Sequence, residues 1–343
     1  MTIMFGLAGC TDQRDLYVLS GPVLEVEGDW MPSLGVADMT MNATAVAFDS
    51  EGGAVKEYFY SPDKVEIPVT ESTYDVLLFN GLMYSPDDTH LDGLKFRGTD
   101  RLETFEVMTK EGSLNSRLGS RSQDEYIASN DMEIVTSALQ SQVVDESRSY
   151  YMKYKDGENG LETPEDYVYA QMQMTPVPLS YEAQVVVTIK NISSAAGASA
   201  ALYGFVGSAF MASRLPSHFY VTHHFNLNSR KWIDQDNDTG TIESPRFVTF
   251  GPPLDVPDNK YEVYIKMILV NGEEHEWTFD VTEQMQPIIE EIKANFESGA
   301  TIHYQLEIPL ELYLELPVVE PVEGSVGVGN WSDDELITVP ITP

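Results

Sequence analysis

The sequence contains one cysteine, Cys10, in 343 residues. A single thiol excludes an intrachain disulfide, and with it any cysteine-rich zinc site or CxxC redox pair. Basic residues are also scarce. Twenty Lys and Arg stand against 55 Asp and Glu, a formal net charge of -35. A field of that sign repels phosphate backbones, so nucleic acid is excluded as a partner. Long apolar runs are missing too. The best candidate, ASAALYGFVGSAFMA (Ala198 to Ala212), holds two glycines and falls short of the ~20 residues a spanning helix needs. It reads as core, so the chain does not span a membrane, although it can be tethered to one. The sequence also lacks GxSxG, a Walker loop and GxGxxG.

What is present is enough apolar material to fold. Hydrophobic residues make up 42% of the chain and aromatics 10%, and the length suits two domains of roughly 150 residues each. The dominant pattern is period-two alternation between turn residues, which marks an all-β protein. In IHYQLEIPLELYLEL, Ile302 to Leu316, every even position is apolar and most odd positions are polar. Pro309 cannot donate to a ladder, so this strand should be bent, bulged or at an edge there. YEAQVVVTIKN places Tyr181, Ala183, Val185, Val187 and Ile189 on one face. KYEVYIKMILVNGEEHEWTFDV reads as a hairpin turning at Asn271-Gly272. ATAVAFD, VEIPV and YDVLLFN are strand-like in the first half. One minor helix is expected from about Pro287 to Phe296, with Ile288, Ile292 and Phe296 stacked.

Composition shifts between residues 150 and 180. YKDGENGLETPEDY is polar and turn-rich, and MTPVPLSYE carries two prolines just before a strong strand. The domain boundary is therefore expected near 175. This divides the chain into a tether at 1–14, one β-sandwich at 15–175 and a second at 176–343.

At the N-terminus LAGC fits a bacterial lipobox, which makes Cys10 the expected lipid attachment point. The preceding MTIMFGLAG holds no Lys or Arg and is short for a signal peptide. Either translation starts upstream of Met1 or the leader has been cut short. Thr11-Asp12-Gln13 then begins a polar spacer.

Candidate chemistry is sparse, and no catalytic constellation emerges. His223 and His224 sit in a strand-like run, FYVTHHFNL, where neighbours point to opposite faces, so they cannot share one metal without a bulge. Asp234, Asp236 and Asp238 alternate ahead of Gly240, and oxygen ligands so spaced can wrap Ca²⁺. However, Thr239 stands where an EF-hand wants glycine and Pro245 where it wants glutamate. A polar hairpin loop explains the run equally well. Among the tryptophans, Trp30, Trp232, Trp277 and Trp331, core packing is the expectation, and Trp277 alternates with Phe279. Trp232 borders the Asp loop and is the one to inspect for ligand stacking.

Several segments in order resemble the fimbrillin-like lipoproteins of Bacteroidales, the class that includes type V pilus subunits, and come nearest to an uncharacterised branch. The segments are CTDQRDLYV, GDW ending at Trp30, MTMNATAVAFDSEGG and VEIPVTESTYDVLLFN. They continue as PVPLSYEAQVVVTIKNI, RFVTFG, VNGEEHEWTFDVTEQM and VGNWSDDELITVPI. The resemblance implies two tandem β-sandwiches of transthyretin-like (fimbrillin) topology and an outer-membrane lipoprotein at the cell surface; with no catalytic constellation in the sequence, no enzymatic activity is expected. In relatives that polymerise, an arginine-specific protease removes the first strand and a C-terminal strand of the next subunit fills the groove. Here Arg14 precedes the expected first strand, and the next arginine is Arg97. Cutting at Arg14 would shed the lipid without opening a groove. Ile337, Val339 and Ile341 alternate as a donor strand would, or as a last strand completing the chain's own sandwich. Two functions stay open: an anchor or accessory pilus subunit working by strand exchange, or a non-polymerising surface glycan- or ligand-binding lipoprotein.

Overall fold

The structure is a computed structural model that describes residues 16–19, 23–30, 43–50, 54–59, 64–70, 72–81, 94–119, 121, 125–144, 151–154, 170–296 and 302–313. The first half contains β1 (Leu16–Leu19), β2 (Val23–Gly28), β3 (Ala43–Asp49), β4 (Ala54–Phe59), β5 (Lys64–Pro68) and β6 (Ser72–Asn80). After these come β7 (Leu94–Arg97), β8 (Glu106–Thr109), β9 (Thr136–Val144), β10 (Tyr151–Tyr154), β11 (Ala170–Met174) and β12 (Val177–Pro178). The second half opens with β13 (Tyr181–Lys190), β14 (Ala195–Val206), β15 (Ser208–Phe210) and β16 (Tyr220–Asn226). It continues through β17 (Ser229–Asp234), β18 (Thr239–Glu243), β19 (Phe247–Thr249), β20 (Glu262–Leu269) and β21 (Glu274–Asp280). Helix α1 (Thr282–Asn295) and β22 (His303–Glu311) complete the described elements. The protein is all-β, as its alternation predicts.

In the first half, a five-stranded sheet of order β12-β9-β6-β3-β4 faces a three-stranded sheet, β11-β2-β5. Ala43, Ala45, Ala47, Val76 and Leu78 of the larger sheet pack against Leu24, Val26, Ile67 and Met172 of the smaller one. The small alanines let the two sheets approach closely. The opposite face of the same strands is buried as well. Val46, Phe48, Leu77 and Phe79 point into a second core with Leu94, Phe105 and Val107. Burial on both faces explains why ATAVAFD and YDVLLFN are nearly continuous apolar runs rather than alternations.

That second core joins the halves within the unit Met1–Leu312. Val206, Ala209, Met211, Val248 and Phe250 come from beyond residue 200 and pack beside Phe105 and Phe79. A small sheet of order β15-β8-β7 lies over the junction, with Ser208–Phe210 paired to Glu106–Met108. Strands from both halves therefore share one ladder.

In the second half, β16-β14-β20-β21 forms one sheet, while β17, β18, β13 and β19 form the other. The even-spaced apolar set of β13 is buried, Val185, Val187 and Ile189 completely. Rings bridge the two sheets: Phe205 of β14 stacks on Tyr304 of β22 at 6.4 Å, and Phe225 of β16 on Phe247 of β19 at 5.2 Å. β22 runs parallel to β13 from Glu182↔His303 to Lys190↔Glu311. Among the described residues it pairs with no other strand, so Pro309 sits on an edge strand, as its missing N–H requires. The hairpin turns at Gly272, whose φ is 86°, and Asn271 contributes a side-chain acceptor to Glu273 N–H rather than a positive φ.

Two local expectations are corrected. The helix starts at Thr282, not near Pro287: Asp280 Oδ1 accepts the Thr282 N–H at 2.9 Å just ahead of it, and Pro287 is carried inside the helix. Its buried stripe is accordingly Met285, Ile289 and Ile292, and Phe296 instead lies 4.8 Å beneath the Arg214 guanidinium. Trp277 is only partly buried, stacked on His275 at 5.8 Å.

Candidate functional site

Three clusters of polar side chains stand out from the core. The first is at the junction of the halves. Glu106 is only 4% exposed, yet it receives Arg97 Nε at 2.5 Å, Arg97 Nη2 at 2.8 Å and Ser208 Oγ at 2.5 Å. Ser217 Oγ contacts Ser208 Oγ in the same knot. Burial pushes the Glu106 carboxyl up, but the Arg97 and serine hydrogen bonds outweigh it and hold the group below the usual range. The serines donate to a carboxylate and no histidine joins them, so the cluster fastens β7, β8 and β15 and forms no nucleophile relay.

The second lies on the outer face of the sheet β16-β14-β20-β21, against which Asn115 and Arg121 pack. Arg121 sits 4.2 Å over Tyr203 and 5.1 Å over Tyr264, and donates to Glu262 Oε2 at 3.0 Å and Thr278 Oγ1 at 3.1 Å. Burial beneath it pushes the Tyr203 hydroxyl up to about 12. Further along the same face, Asn115 N–H donates to His224 Nδ1, and Asn115 and Ser199 both donate to Asn226 Oδ1. Aromatic faces that could have stacked on a ligand are thus covered by the chain's own arginine.

The third is a shallow groove of about 140 Å³ on the wet face of β13 and β22. Glu182 Oε2 lies 2.6 Å from His303 Nδ1 and 3.8 Å from Arg246 Nη1, and Gln305 Nε2 donates to Gln184 Oε1 at 3.0 Å. The groove offers mixed donors and acceptors but no nucleophile held by a base.

The sequence-level candidates fall as follows. His223 and His224 point to opposite faces of β16. His223 is fully buried with Nε2 3.2 Å from Thr249 Oγ1, while His224 faces Asn115. Asp234, Asp236 and Asp238 are not drawn together. Asp234 accepts from Asp236 N, Asn237 N and Asn237 Nδ2, and Asp238 turns to the Ser193 N–H and hydroxyl. Among the described residues no group of three or more His, Cys, Asp or Glu could hold a metal ion. Trp30 is core at 3% exposure, but Trp232 is 44% exposed on β17 with Arg230 5.0 Å from its ring. Cys10, Arg14, Trp331, Ile337, Val339 and Ile341 lie outside the described residues. Sequence reasoning missed Glu106 and Arg121, since each reads as one more charged residue until its partners are in place.

Paired β-sheets around a shared central core are a fold this chain has in common with several solved structures. The chain matches a crystal structure described as a candidate adhesin from Bacteroides ovatus with a TM-score of 0.54 and 16% identity, covering 92% of this chain and 100% of that one. A candidate adhesin from Bacteroides thetaiotaomicron matches with a TM-score of 0.55 and 8% identity, over 85% and 92% of the two chains. A second candidate adhesin from Bacteroides ovatus gives 0.50 and 11%, over 83% and 88%. These neighbours agree with the fimbrillin-like resemblance in the sequence at the level of the fold. No protein-family model matches the chain, and no curated protein matches it.

Proposed function

We propose that the chain is a fimbrillin-like structural or adhesion protein displayed at the cell surface, without enzymatic activity. The observation that carries this reading is a fold shared with a candidate adhesin over the whole of that protein and 92% of this one. In this reading two sandwich domains meet near residue 175, residues 1–14 are the tether, and a lipid on Cys10 holds the protein to the outer membrane. Arg14 is the release point for an arginine-specific protease. Ile337, Val339 and Ile341 form a strand donated to a neighbouring pilus subunit, where main-chain hydrogen bonds supply affinity and alternate side chains fill an apolar slot.

A second reading, a non-polymerising surface protein that binds a glycan or another ligand, is favoured by half-exposed Trp232 beside the Asp234–Asp238 loop. Expression with and without an arginine-specific protease separates the two. The structural reading predicts SDS-resistant ladders that vanish when Ile337, Val339 and Ile341 are replaced by aspartate. A strictly monomeric product under both conditions contradicts strand exchange, and binding on a glycan array lost in Trp232→Ala would then support the second reading.

A further inference from the structure

Among the described residues, strand β22 presents a long edge. In a parallel pair each residue directs its backbone groups to one side, and the side alternates along the strand. Ile302 C=O accepts from Glu182 N–H and Leu312 N–H donates to Lys190 C=O, so even-numbered positions face β13. Odd positions from His303 to Glu311 therefore turn their N–H and C=O groups away from it. Beneath them Tyr304, Leu306, Ile308 and Leu310 are buried, so the strand is firmly held and extended. An ordered edge of nine residues is a template on which another chain can add a strand.

The middle of that edge is already occupied by a side chain. Glu307 N–H donates to Gln284 Oε1 at 3.1 Å, and Gln284 Nε2 donates to Glu307 C=O at 2.9 Å. One carboxamide thus supplies the acceptor and the donor that a directly opposed residue of an antiparallel strand would supply. Gln284 itself is exposed, and its position is fixed from below. Thr282 Oγ1 accepts the Tyr261 N–H, Asp280 Oδ1 accepts the Thr282 N–H, and Met285 is buried next to it.

We propose that Gln284 acts as a guard on β22, standing in for one residue of a neighbouring strand and closing this edge against a second copy of the chain. The second copy is the fitting partner because the edge is nearly self-complementary. An antiparallel pairing about a two-fold axis through Glu307 sets His303 opposite Glu311 and Gln305 opposite Pro309. The centre resists: Glu307 faces its own copy, and like charges directly opposed are unfavourable. Pro309 reinforces the guard, since it offers no N–H to an incoming strand. The device leaves any strand exchange to other edges of the molecule.

The test uses Gln284→Met, which keeps the side-chain length and removes the amide, alone and combined with Pro309→Val. Site-resolved hydrogen exchange should show the Glu307 amide protected in the parent. In Gln284→Met its exchange should rise about fivefold, the loss of one ordinary hydrogen bond, while Leu306 and Ile308, bonded to β13, are unchanged. Sedimentation should find the parent monomeric with respect to this edge and the double variant dimeric, with the dimer abolished by adding Glu307→Pro. Equal exchange of the Glu307 amide in parent and Gln284→Met overturns the proposal. So does a double variant that keeps the parent circular dichroism spectrum and remains monomeric up to its solubility limit.

Discussion

Replacing Phe105 with alanine is expected to cost about 3–5 kcal/mol of folding stability, the range for deleting a large ring from a core that cannot collapse around the gap. Phe105 is completely buried and meets three other rings edge-on: Phe79 at 5.6 Å, Phe96 at 6.0 Å and Phe48 at 6.3 Å. Its carbonyl accepts the Met211 N–H at 2.8 Å, so the residue is tied to the second half by backbone as well as by packing. Because the same core includes Val206, Met211 and Phe250, the loss should fall on the junction as much as on the first half. Urea unfolding followed by tryptophan fluorescence measures it. The parent should unfold in one transition, and Phe105→Ala should either shift that midpoint by the stated amount or split the transition in two. A loss below about 1 kcal/mol, within the ordinary range of a surface substitution, would show that the ring does not hold the halves together.

The second large effect is on acid stability. His223 lies between Phe205 and Phe247, with ring centroids 6.3 and 5.0 Å away, and is fully buried. Burial, assisted by the neighbouring His224, pushes its pKa down from 6.5 to about 3. As pH falls below 6.5, the unfolded chain binds a proton at this position and the folded chain does not. Stability is therefore fully present above pH 6.5 and drains away toward pH 3, at about 1.4 kcal/mol per pH unit once well below 6.5. The carboxylates contribute their own acid sensitivity, so the comparison is with His223→Gln, which keeps a polar group for Thr249. The difference between parent and variant stability should narrow steadily from pH 7 to pH 4. Parallel curves would mean that His223 takes up its proton over the same pH range in the fold as in the unfolded chain.

How much of this was legible in the sequence depended on how many faces of a strand are buried. β13 and β22 each turn one face to solvent, and their alternation named the core side chains one by one. β3 and β6 are buried on both faces. Their sequences showed strands, but no pattern could say that Val76 enters one core and Leu77 another. Non-local pairing left no local mark either. Leu24 lies opposite Ala170 in a parallel ladder whose two strands are separated by most of the first half. The helix begins earlier than expected and carries Pro287 inside it. Gln284 lay outside the helix expected from Pro287, and only the fold brings it to Glu307. The acidic loop shows the converse: Asp234, Asp236 and Asp238 alternate as cation ligands do, but turn hydrogen bonds absorb the first and Ser193 the last. In a chain with 55 carboxylates, spacing alone carried little information.

The central claim is surface display of a strand-built adhesion or structural protein, and one measurement addresses it most directly. The full chain, and its Cys10→Ala variant, would be expressed in a Bacteroidales host. Intact cells would be labelled with a membrane-impermeant amine reagent before fractionation. The account predicts that the parent is labelled, takes up radioactive palmitate and sediments with the outer membrane, and that Cys10→Ala loses the palmitate and leaves the membrane fraction. A parent protein that stays unlabelled on intact cells and is recovered from the cytoplasm would contradict it.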